Sequence, residues 1–239
     1  MTLLNLQDTV ARHGLLTAIH GMTLSLAEGE VLSIIGANGA GKSTLLRMIA
    51  GAHRPVSGRI LLRGSDITDL PLPARVKRGI ALSPEGRRLF ADMTVRENLC
   101  VASDNGRRGE WTLDAVLSAL PQIAPVLDRA AGGLSGGQRQ AVAIGRALVT
   151  NPDILLLDEV SLGLSPAAVD LVYQSLASLK GRVTMIIVEQ DLTRALEFST
   201  RILCMAEGRS ELEGAPQNLT RAQITDAYFG ISKAEVHDA

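Results

Sequence analysis

The segment Gly36-Ala37-Asn38-Gly39-Ala40-Gly41-Lys42-Ser43 combines glycines, a lysine and a hydroxyl in the spacing of a phosphate-binding loop. It follows an apolar run at 31–35, typical of a buried strand, and precedes a run at 44–50 that is typical of a helix. Glycines let backbone N–H groups turn toward an anion, and the helix N-terminus adds a positive dipole. An ordinary glycine-rich turn is the alternative, which these flanks disfavour. The residues predicted to bind a nucleotide here are Gly36, Asn38, Gly39, Ala40, Gly41, Lys42, Ser43 and Thr44.

Two adjacent acids, Asp158 and Glu159, end a second apolar run at 154–157. Successive side chains of a strand point to opposite faces, so one carboxylate can address a metal ion and the next a phosphate. We expect Asp158 and the hydroxyl of Ser43 to hold Mg²⁺, and Glu159 to orient or deprotonate a water molecule. Lys42 would supply positive charge for the outer phosphates. A strand that simply ends in two solvated acids is the alternative.

A third polar cluster, Ser135-Gly136-Gly137-Gln138, precedes an amphipathic run at 139–149. Ser135 and Gln138 have the spacing of a capping box, so the cluster predicts a helix start with exposed backbone around it. In isolation the same pattern is typical of an ordinary glycine-rich N-cap.

These clusters need an α/β core to position them, and strand-like and helix-like runs alternate in both the first and the last part of the chain. Runs at 3–9 and 20–26 predict two N-terminal strands, and the run at 59–64 predicts a short edge strand. The run at 78–83 predicts a central strand of a mostly parallel sheet. Later runs predict a helix at 166–179, a strand at 184–188, a helix at 191–198, a strand at 201–205 and a closing helix at 219–229.

The character of the sequence changes between Pro84 and Pro152, where helical spacing prevails at 111–120 and 122–127. We therefore predict a small helical subdomain at about 85–151, inserted between two parts of the core. We therefore predict a single domain at 1–239. Its core lies at about 1–84 and 152–230, and a polar tail lies at 231–239.

The composition disfavours several classes of protein. Lys plus Arg number 24 and Asp plus Glu number 25, which gives no support for a broad nucleic-acid-binding surface; aromatic residues make up only 3 %, too few for base stacking.

The two cysteines, Cys100 and Cys204, are interpreted as reduced residues that pack in the fold, in preference to a disulfide or a metal site. The sequence has no signal-like N-terminal run and no apolar stretch of about 18 residues, so we expect any membrane role to need a partner.

Together, the phosphate loop, the Ser135 cluster and the Asp158-Glu159 pair resemble the motifs of ABC-transporter ATPases, in the family's order and over nearly the whole chain. The resemblance implies an α/β P-loop NTPase core with a mostly parallel sheet, an N-terminal antiparallel β subdomain and an inserted helical subdomain. It also implies that two subunits sandwich two ATP molecules. The residues implied to grip the γ-phosphate of ATP on the facing subunit are Ser135, Gly136, Gly137 and Gln138.

Four positions depart from the family's usual residues: Val160 stands in place of a proline, and the other three concern the nucleotide site. Glu85, which is predicted with Ser43 and Asp158 at the metal site, stands where a glutamine joins the core to the helical subdomain near metal and water. Mg²⁺ could tolerate it, or it could turn toward Arg87 or Arg88. Gln190 stands in place of a catalytic histidine, and it can hydrogen-bond to a phosphate but cannot carry a proton as imidazole does. His13 occupies the place of an aromatic residue that stacks on adenine, with a partly exposed loop histidine as an equal alternative.

Within the family, three segments are similar to one branch, the second ATPase subunit of high-affinity branched-chain amino-acid importers; they are residues 84–88, 161–164 and 188–190. The implied partners are a second ATPase subunit in a hetero- or homodimer, two transmembrane permease subunits and a solute-binding protein, with no nucleic acid. The implied location is the cytoplasmic face of the bacterial inner membrane. Related importers of urea, amides or aromatic acids stay open as alternatives.

A non-transport ABC ATPase that acts on DNA ends or ribosomes is the alternative from another class. DNA-end members carry a long coiled coil and ribosomal members carry two cassettes, whereas this sequence has no heptad array and one phosphate loop. A module that binds ATP and hardly hydrolyses it also stays open, because Gln190 and Glu85 replace the usual residues.

Overall fold

The structure, a computed structural model, describes residues 1–228. An N-terminal antiparallel sheet is built from β1 Thr2–His13, β2 Leu16–Ala27, β4 Ser57–Leu62 and β5 Ser65–Asp66. Its strands lie in the order β2-β1-β4-β5. The long β1–β2 hairpin brings residues near its turn over the phosphate loop, where His13 contacts Thr44.

A second sheet positions the candidate site. Its six strands are β3 Val31–Ile35, β6 Ile80–Ser83, β7 Ile154–Asp158, β8 Thr184–Val188, β9 Arg201–Ala206 and β10 Arg209–Gly214. They lie in the order β10-β9-β3-β8-β7-β6, and only the β9–β10 pair is antiparallel. Because parallel strands end at one edge of a sheet, the loops after β3, β6, β7 and β8 meet there.

The α-helices of the described residues are α1 Lys42–Ala50, α2 Leu72–Lys77, α3 Val95–Asn105, α4 Leu113–Ala119, α5 Gly136–Leu148, α6 Pro166–Ala177, α7 Leu192–Phe198 and α8 Arg221–Tyr228. Short 3₁₀ helices cover Pro121–Val126, Ala131–Gly133 and Pro216–Asn218. Helix α1 lies between the two sheets, in contact with β1 and β2 on one side and β6 and β7 on the other. Within residues 1–228, no helix has the length and hydrophobicity needed to cross a membrane.

Burial of the parallel sheet on both faces explains its sequence pattern. Strands β3, β7 and β8 are buried along their whole length, which their continuous apolar runs predict. On the face toward α1, Leu156 packs in one core with Leu45. On the opposite face, Leu155 packs in a second core with Leu176 of α6. The site edge is therefore carried by a rigid, two-sided core.

The predicted fold class is confirmed, but several local predictions are wrong. The strand predicted as central, β6, is the edge strand of the parallel sheet, and the strand predicted as an edge, β4, lies between β1 and β5. A 3₁₀ helix at Pro121–Val126 takes the place of the helix predicted at 122–127, and Pro125 inside it lacks the N–H that an α-helix would use. Cys204 is a buried free thiol as expected, whereas Cys100 is exposed on α3.

The helical part of the chain lies between β6 and β7 and ends in α5, which contacts both of these strands as well as α3 and α6. The subdomain bounds of about 85–151 stay a prediction, since α5 belongs to the packing of both parts. The predicted tail at 231–239 and the last residue of the predicted closing helix, at 229, lie outside the described residues.

Candidate nucleotide-binding site

The phosphate loop joins β3 to α1, and its tight path depends on glycine. Gly36 has φ 148°, and a Cβ there would lie 2.1 Å from the carbonyl oxygen of Met205. Gly41 has φ 97°, and a Cβ there would lie 2.7 Å from the carbonyl oxygen of Ala18. No other residue type fits these two positions without moving backbone. The loop is thus held in a fixed shape by the strands on both sides of it.

Lys42 lies folded against this loop. Its Nζ donates to the carbonyl oxygens of Gly36 at 2.7 Å and Ala37 at 2.9 Å, and the residue is only 5 % exposed. Burial lowers the pKa of Lys42, and the carboxylates of Glu159 and Asp158 oppose that shift. The ammonium group is therefore positioned at the loop, with two acids close enough to stabilise its charge.

The hydroxyl of Ser43 donates to Oδ1 of Asp158 at 2.9 Å. Asp158 is 2 % exposed; burial raises the pKa of its carboxyl group, and the hydrogen bond from Ser43 opposes the rise. Among residues 1–228 no group of three or more His, Cys, Asp or Glu could hold a metal ion. One carboxylate beside one hydroxyl fits Mg²⁺ nonetheless, because this ion is usually held by one or two protein oxygens together with phosphates and water.

Glu159 follows β7 in a left-handed conformation, with φ 53°. Its N–H donates to the carbonyl oxygen of Val188 at 3.2 Å, and its Oε1 accepts from Nε2 of Gln190 at 2.9 Å. Non-glycine residues rarely adopt positive φ, and such residues cluster at functional sites. The structure thus brings together Glu159 and Gln190, two of the three residues predicted to be catalytic beside Lys42, from the ends of neighbouring strands.

An open cleft of about 520 Å³ lies at this edge of the sheet. From the phosphate loop and α1 it is lined by Asn38, Gly39, Gly41, Lys42, Ser43 and Thr44. From other elements the predicted residues His13, Glu85, Glu159 and Gln190 join the lining. The remaining predicted residues of the loop, Gly36 and Ala40, form its frame: Ala40 is 5 % exposed and its carbonyl accepts from the N–H of Gly208.

His13 lies at the rim of the cleft. Its Nε2 is 3.1 Å from the hydroxyl of Thr44, and its ring lies 4.6 Å from the ring of His53, centroid to centroid. Two contacts thus fix the side chain beside α1. Stacking of this ring on adenine stays a prediction.

Glu85 lines the cleft and is exposed, and its charge contributes to raising the pKa of Asp158. The ion pairs found among residues 1–228 do not include Glu85. Arg87 instead donates to Oε1 of Gln140 at 2.9 Å and to the carbonyl oxygen of Leu162 at 3.1 Å. The alternative in which Glu85 turns toward Arg87 is therefore not the arrangement of this structure.

The Ser135 cluster does not line this cleft. It forms the N-terminus of α5 with the predicted capping box: Oγ of Ser135 accepts from the N–H of Gln138 at 3.3 Å, and Oε1 of Gln138 accepts from the N–H of Ser135 at 3.0 Å. The first N–H groups of a helix lack acceptors within the helix, so Gly136 and Gly137 can offer donors to a ligand. Such a ligand would not be one bound in this chain's own cleft.

Sequence reasoning missed Glu189, a buried acid between β8 and Gln190. Its signal was available, because it ends an apolar run at 184–188 just as Asp158 and Glu159 end theirs. Sequence reasoning also missed the hydrogen bond between Arg87 and Gln140, because no spacing along the chain predicts it.

Comparison with known proteins identifies relatives of this chain. The family model described as ABC transporter matches residues 19–161. The high-affinity branched-chain amino acid transport ATP-binding protein BraG of Pseudomonas aeruginosa is 36 % identical over 222 residues, which cover 91 % of this chain and 95 % of that protein. The probable branched-chain amino acid transport ATP-binding protein LivF of Archaeoglobus fulgidus is 37 % identical over 198 residues, covering 81 % and 84 %.

Among solved structures, the ADP conformation of MJ1267, an ATP-binding cassette of an ABC transporter, superimposes with a TM-score of 0.83 at 29 % identity, covering 96 % of this chain and 99 % of that one. These three similarities cover between 81 % and 96 % of this chain. The family predicted from the three motifs is confirmed: the chain belongs to the ATP-binding, ATP-hydrolysing subunits of ABC transporters.

Proposed function

We propose that this ATPase subunit powers an importer of branched-chain or related amino acids. The observation that carries the proposal is similarity, over 91 % and 81 % of the chain, to two proteins named for branched-chain amino acid transport. The segments 84–88, 161–164 and 188–190 support the same branch. Because the solute contacts other subunits of such a transporter, this chain supports the class of solute and not one amino acid.

The proposed chemistry is hydrolysis of the γ-phosphate of ATP. Backbone N–H groups of the phosphate loop and the ammonium group of Lys42 bind the phosphates. Glu159 accepts a proton from the attacking water, or orients it, through the carboxylate oxygen that is not bonded to Gln190. Gln190 holds the carboxylate of Glu159 and can donate to the phosphate.

Ser43 and Asp158 are the residues proposed to hold Mg²⁺, and Glu85 lies on the same cleft. The bound ion supplies positive charge against the phosphate oxygens. Burial of Asp158 supports this role, because a buried carboxylate is stabilised when a cation shares its surroundings.

The cleft is proposed to be half of a complete site. In a dimer, Ser135, Gly136, Gly137 and Gln138 of one subunit would close over ATP bound to the phosphate loop of the other. The exposed position of Ser135 at the N-terminus of α5, outside this chain's own cleft, supports that arrangement. A second ATPase subunit, identical or related, supplies the missing half.

ABC ATPase subunits work with permease subunits, and a groove beside the edge strand β6 is proposed to receive one. The groove measures about 440 Å³ and lies between α2, β6, α3 and α5. Phe90 and Val101 line it with 51 % and 41 % of their surface exposed, and Arg88 and Arg146 stand at its polar side. An amphipathic permease helix with an acidic end would complement it. Binding there would place the subunit at the cytoplasmic face of the membrane, with two permeases and a solute-binding protein.

The test is uptake of labelled solutes by cells that encode this chain. Cells carrying Glu159→Gln or Phe90→Asp in place of the wild-type chain should lose leucine, isoleucine and valine uptake by about tenfold or more. The first change removes the proposed base and the second puts a charge into the apolar groove, while purified Phe90→Asp should still bind ATP.

Loss of urea, amide or phenylalanine uptake instead, with leucine uptake intact, would contradict the solute class and favour a related importer. Normal uptake of every solute in both variants would contradict a transport role.

A further inference from the structure

Glu189 is a buried acid that the proposed hydrolysis does not use. It is 1 % exposed and directly follows β8. Four donors lie within hydrogen-bond distance of its oxygens: the hydroxyl groups of Ser161 at 2.6 Å and Tyr173 at 2.5 Å, and the N–H groups of Gln190 at 2.8 Å and Asp191 at 3.1 Å. An ionised carboxylate only accepts hydrogen bonds, so these four donors match it fully.

The two oxygens of Glu189 have different tasks. Oε1 accepts from Ser161, Gln190 and Asp191, and so joins the loop after Glu159 to the turn that carries Gln190. Oε2 accepts from Tyr173 on α6. Burial raises the pKa of Tyr173, so this hydroxyl stays a donor, and its ring packs edge-on against Phe198 at 5.0 Å.

Three of the four donors belong to the two loops that carry the proposed catalytic pair. Ser161 lies two residues after Glu159, and the N–H of Gln190 is the backbone of the residue whose side chain reaches Glu159. A buried carboxylate is costly to desolvate, and an apolar residue would fill this place in the core more simply. The presence of an acid at this buried position is therefore explained by the two loops whose donors it accepts.

We propose that Glu189 is a positioning residue for ATP hydrolysis: it locks the loop of Ser161 to the turn of Gln190, so that the Gln190 amide stays on Oε1 of Glu159. The inference rests on the roles proposed for Glu159 and Gln190. Beyond those roles, it assigns to Glu189 the hydrogen bonds that connect the loop at 161–164, which follows the proposed base, with the turn after β8.

The test is steady-state phosphate release by the ATPase assembled with its transporter partners. Glu189→Ala should lower kcat about tenfold while KM for ATP changes less than about twofold, because phosphate binding does not involve this residue. Glu189→Gln should recover most of kcat, since its amide oxygen can accept at Oε1 while its NH₂ faces the oxygen of Tyr173. Tyr173→Phe is the matched control: it removes the bond on Oε2 alone and should keep kcat within about twofold.

A double-mutant cycle separates positioning from general damage. In a Gln190→Ala background, Glu189→Ala should cause no further loss of kcat, because its effect passes through Gln190. If Glu189→Ala does not fold, Ser161→Ala can replace it in the double-mutant cycle, and we expect it to lower kcat about threefold. Additive losses in the cycle, or a kcat loss in Tyr173→Phe equal to that of Glu189→Ala, would overturn the inference. Full activity of Glu159→Gln would instead overturn the proposed base, so the two failures are distinguishable.

Discussion

At the scale of single residues, the cleft depends on short polar contacts between side chains from separate strands. Ser43 reaches Asp158, Gln190 reaches Glu159, and both acids stabilise the ammonium group of Lys42. Gln190 keeps the hydrogen-bonding ability of the usual histidine but cannot transfer a proton. We therefore expect its role to be the placement of Glu159.

Asp158 offers a residue-scale prediction with a defined pH dependence. Burial raises its pKa above the ordinary 3.8, so its contribution to folding is fully present below that value and is lost as the pH rises through the raised pKa. Above the raised pKa the ionised, buried carboxylate destabilises the nucleotide-free chain. Asp158→Asn keeps an acceptor for Ser43, removes this charge and should raise Tm by about 2–4 °C, while weakening Mg²⁺-dependent hydrolysis.

Differential scanning calorimetry of both proteins, from pH 8 down toward the ordinary pKa of aspartate, checks this prediction. The difference in Tm between Asp158→Asn and the wild-type chain should become smaller as the pH falls. Asp104→Asn, at an exposed carboxylate on α3, is the control and should shift Tm little at any pH. Two results would contradict the claim that the buried charge of Asp158 destabilises the fold. One is a Tm of Asp158→Asn below that of the wild-type chain at pH 7.5, and the other is a difference in Tm that does not change with pH.

At the scale of elements, helix α1 is held at both ends. The phosphate loop fixes its N-terminus, and Arg75 fixes its C-terminus by donating from Nη1 to the carbonyl oxygens of Met48 and Ile49, both at 2.8 Å. Two further bonds reach the carbonyls of Thr68 and Leu70. Burial lowers the pKa of Arg75 to about 10, which leaves it charged at neutral pH.

Arg75→Ala should reduce the free energy of unfolding by about 3 kcal/mol, because it removes the donor to two buried and two partly buried carbonyl groups. Urea unfolding at pH 7.5 measures the loss. Arg78→Ala, at an exposed arginine three residues further on, should change the free energy of unfolding by less than about 0.5 kcal/mol. Equal effects of the two substitutions would show that the contacts of Arg75 do not anchor α1.

The sequence predicts most elements because apolar runs and turn residues are local signals. It places β6 and β4 wrongly, since an edge strand covered by helices reads like a central one and strand order depends on long-range pairing. The sequence marks Glu189 as the acid that ends an apolar run, but it does not reveal the partners of that acid. Its partners, Ser161 and Tyr173, meet it only after β7 and β8 pair and α6 packs beside them, and no spacing along the chain encodes that meeting.

At the scale of the whole molecule, the two parts of the proposed shared site lie at different places on the chain. The cleft carries the phosphate loop and the proposed catalytic pair, and the N-terminus of α5 carries the Ser135 cluster. Arg87, on the loop after β6 that also carries Glu85, donates to Gln140 of α5, so a side-chain hydrogen bond connects the two places within the subunit. In a dimer, nucleotide bound in one cleft would thereby influence the helix that serves the other.

The central claim is that Glu159 provides the base for ATP hydrolysis in such a paired site. Phosphate release by Glu159→Gln at saturating ATP, with bound nucleotide quantified in the same sample, tests it most directly, and Lys42→Ala serves as the control that loses nucleotide binding. We predict wild-type ATP binding by Glu159→Gln, a rate of ATP hydrolysis lower by about 10²-fold or more, and an ATP-dependent dimer with an identical or a related ATPase subunit. An unchanged rate of hydrolysis by Glu159→Gln would contradict it.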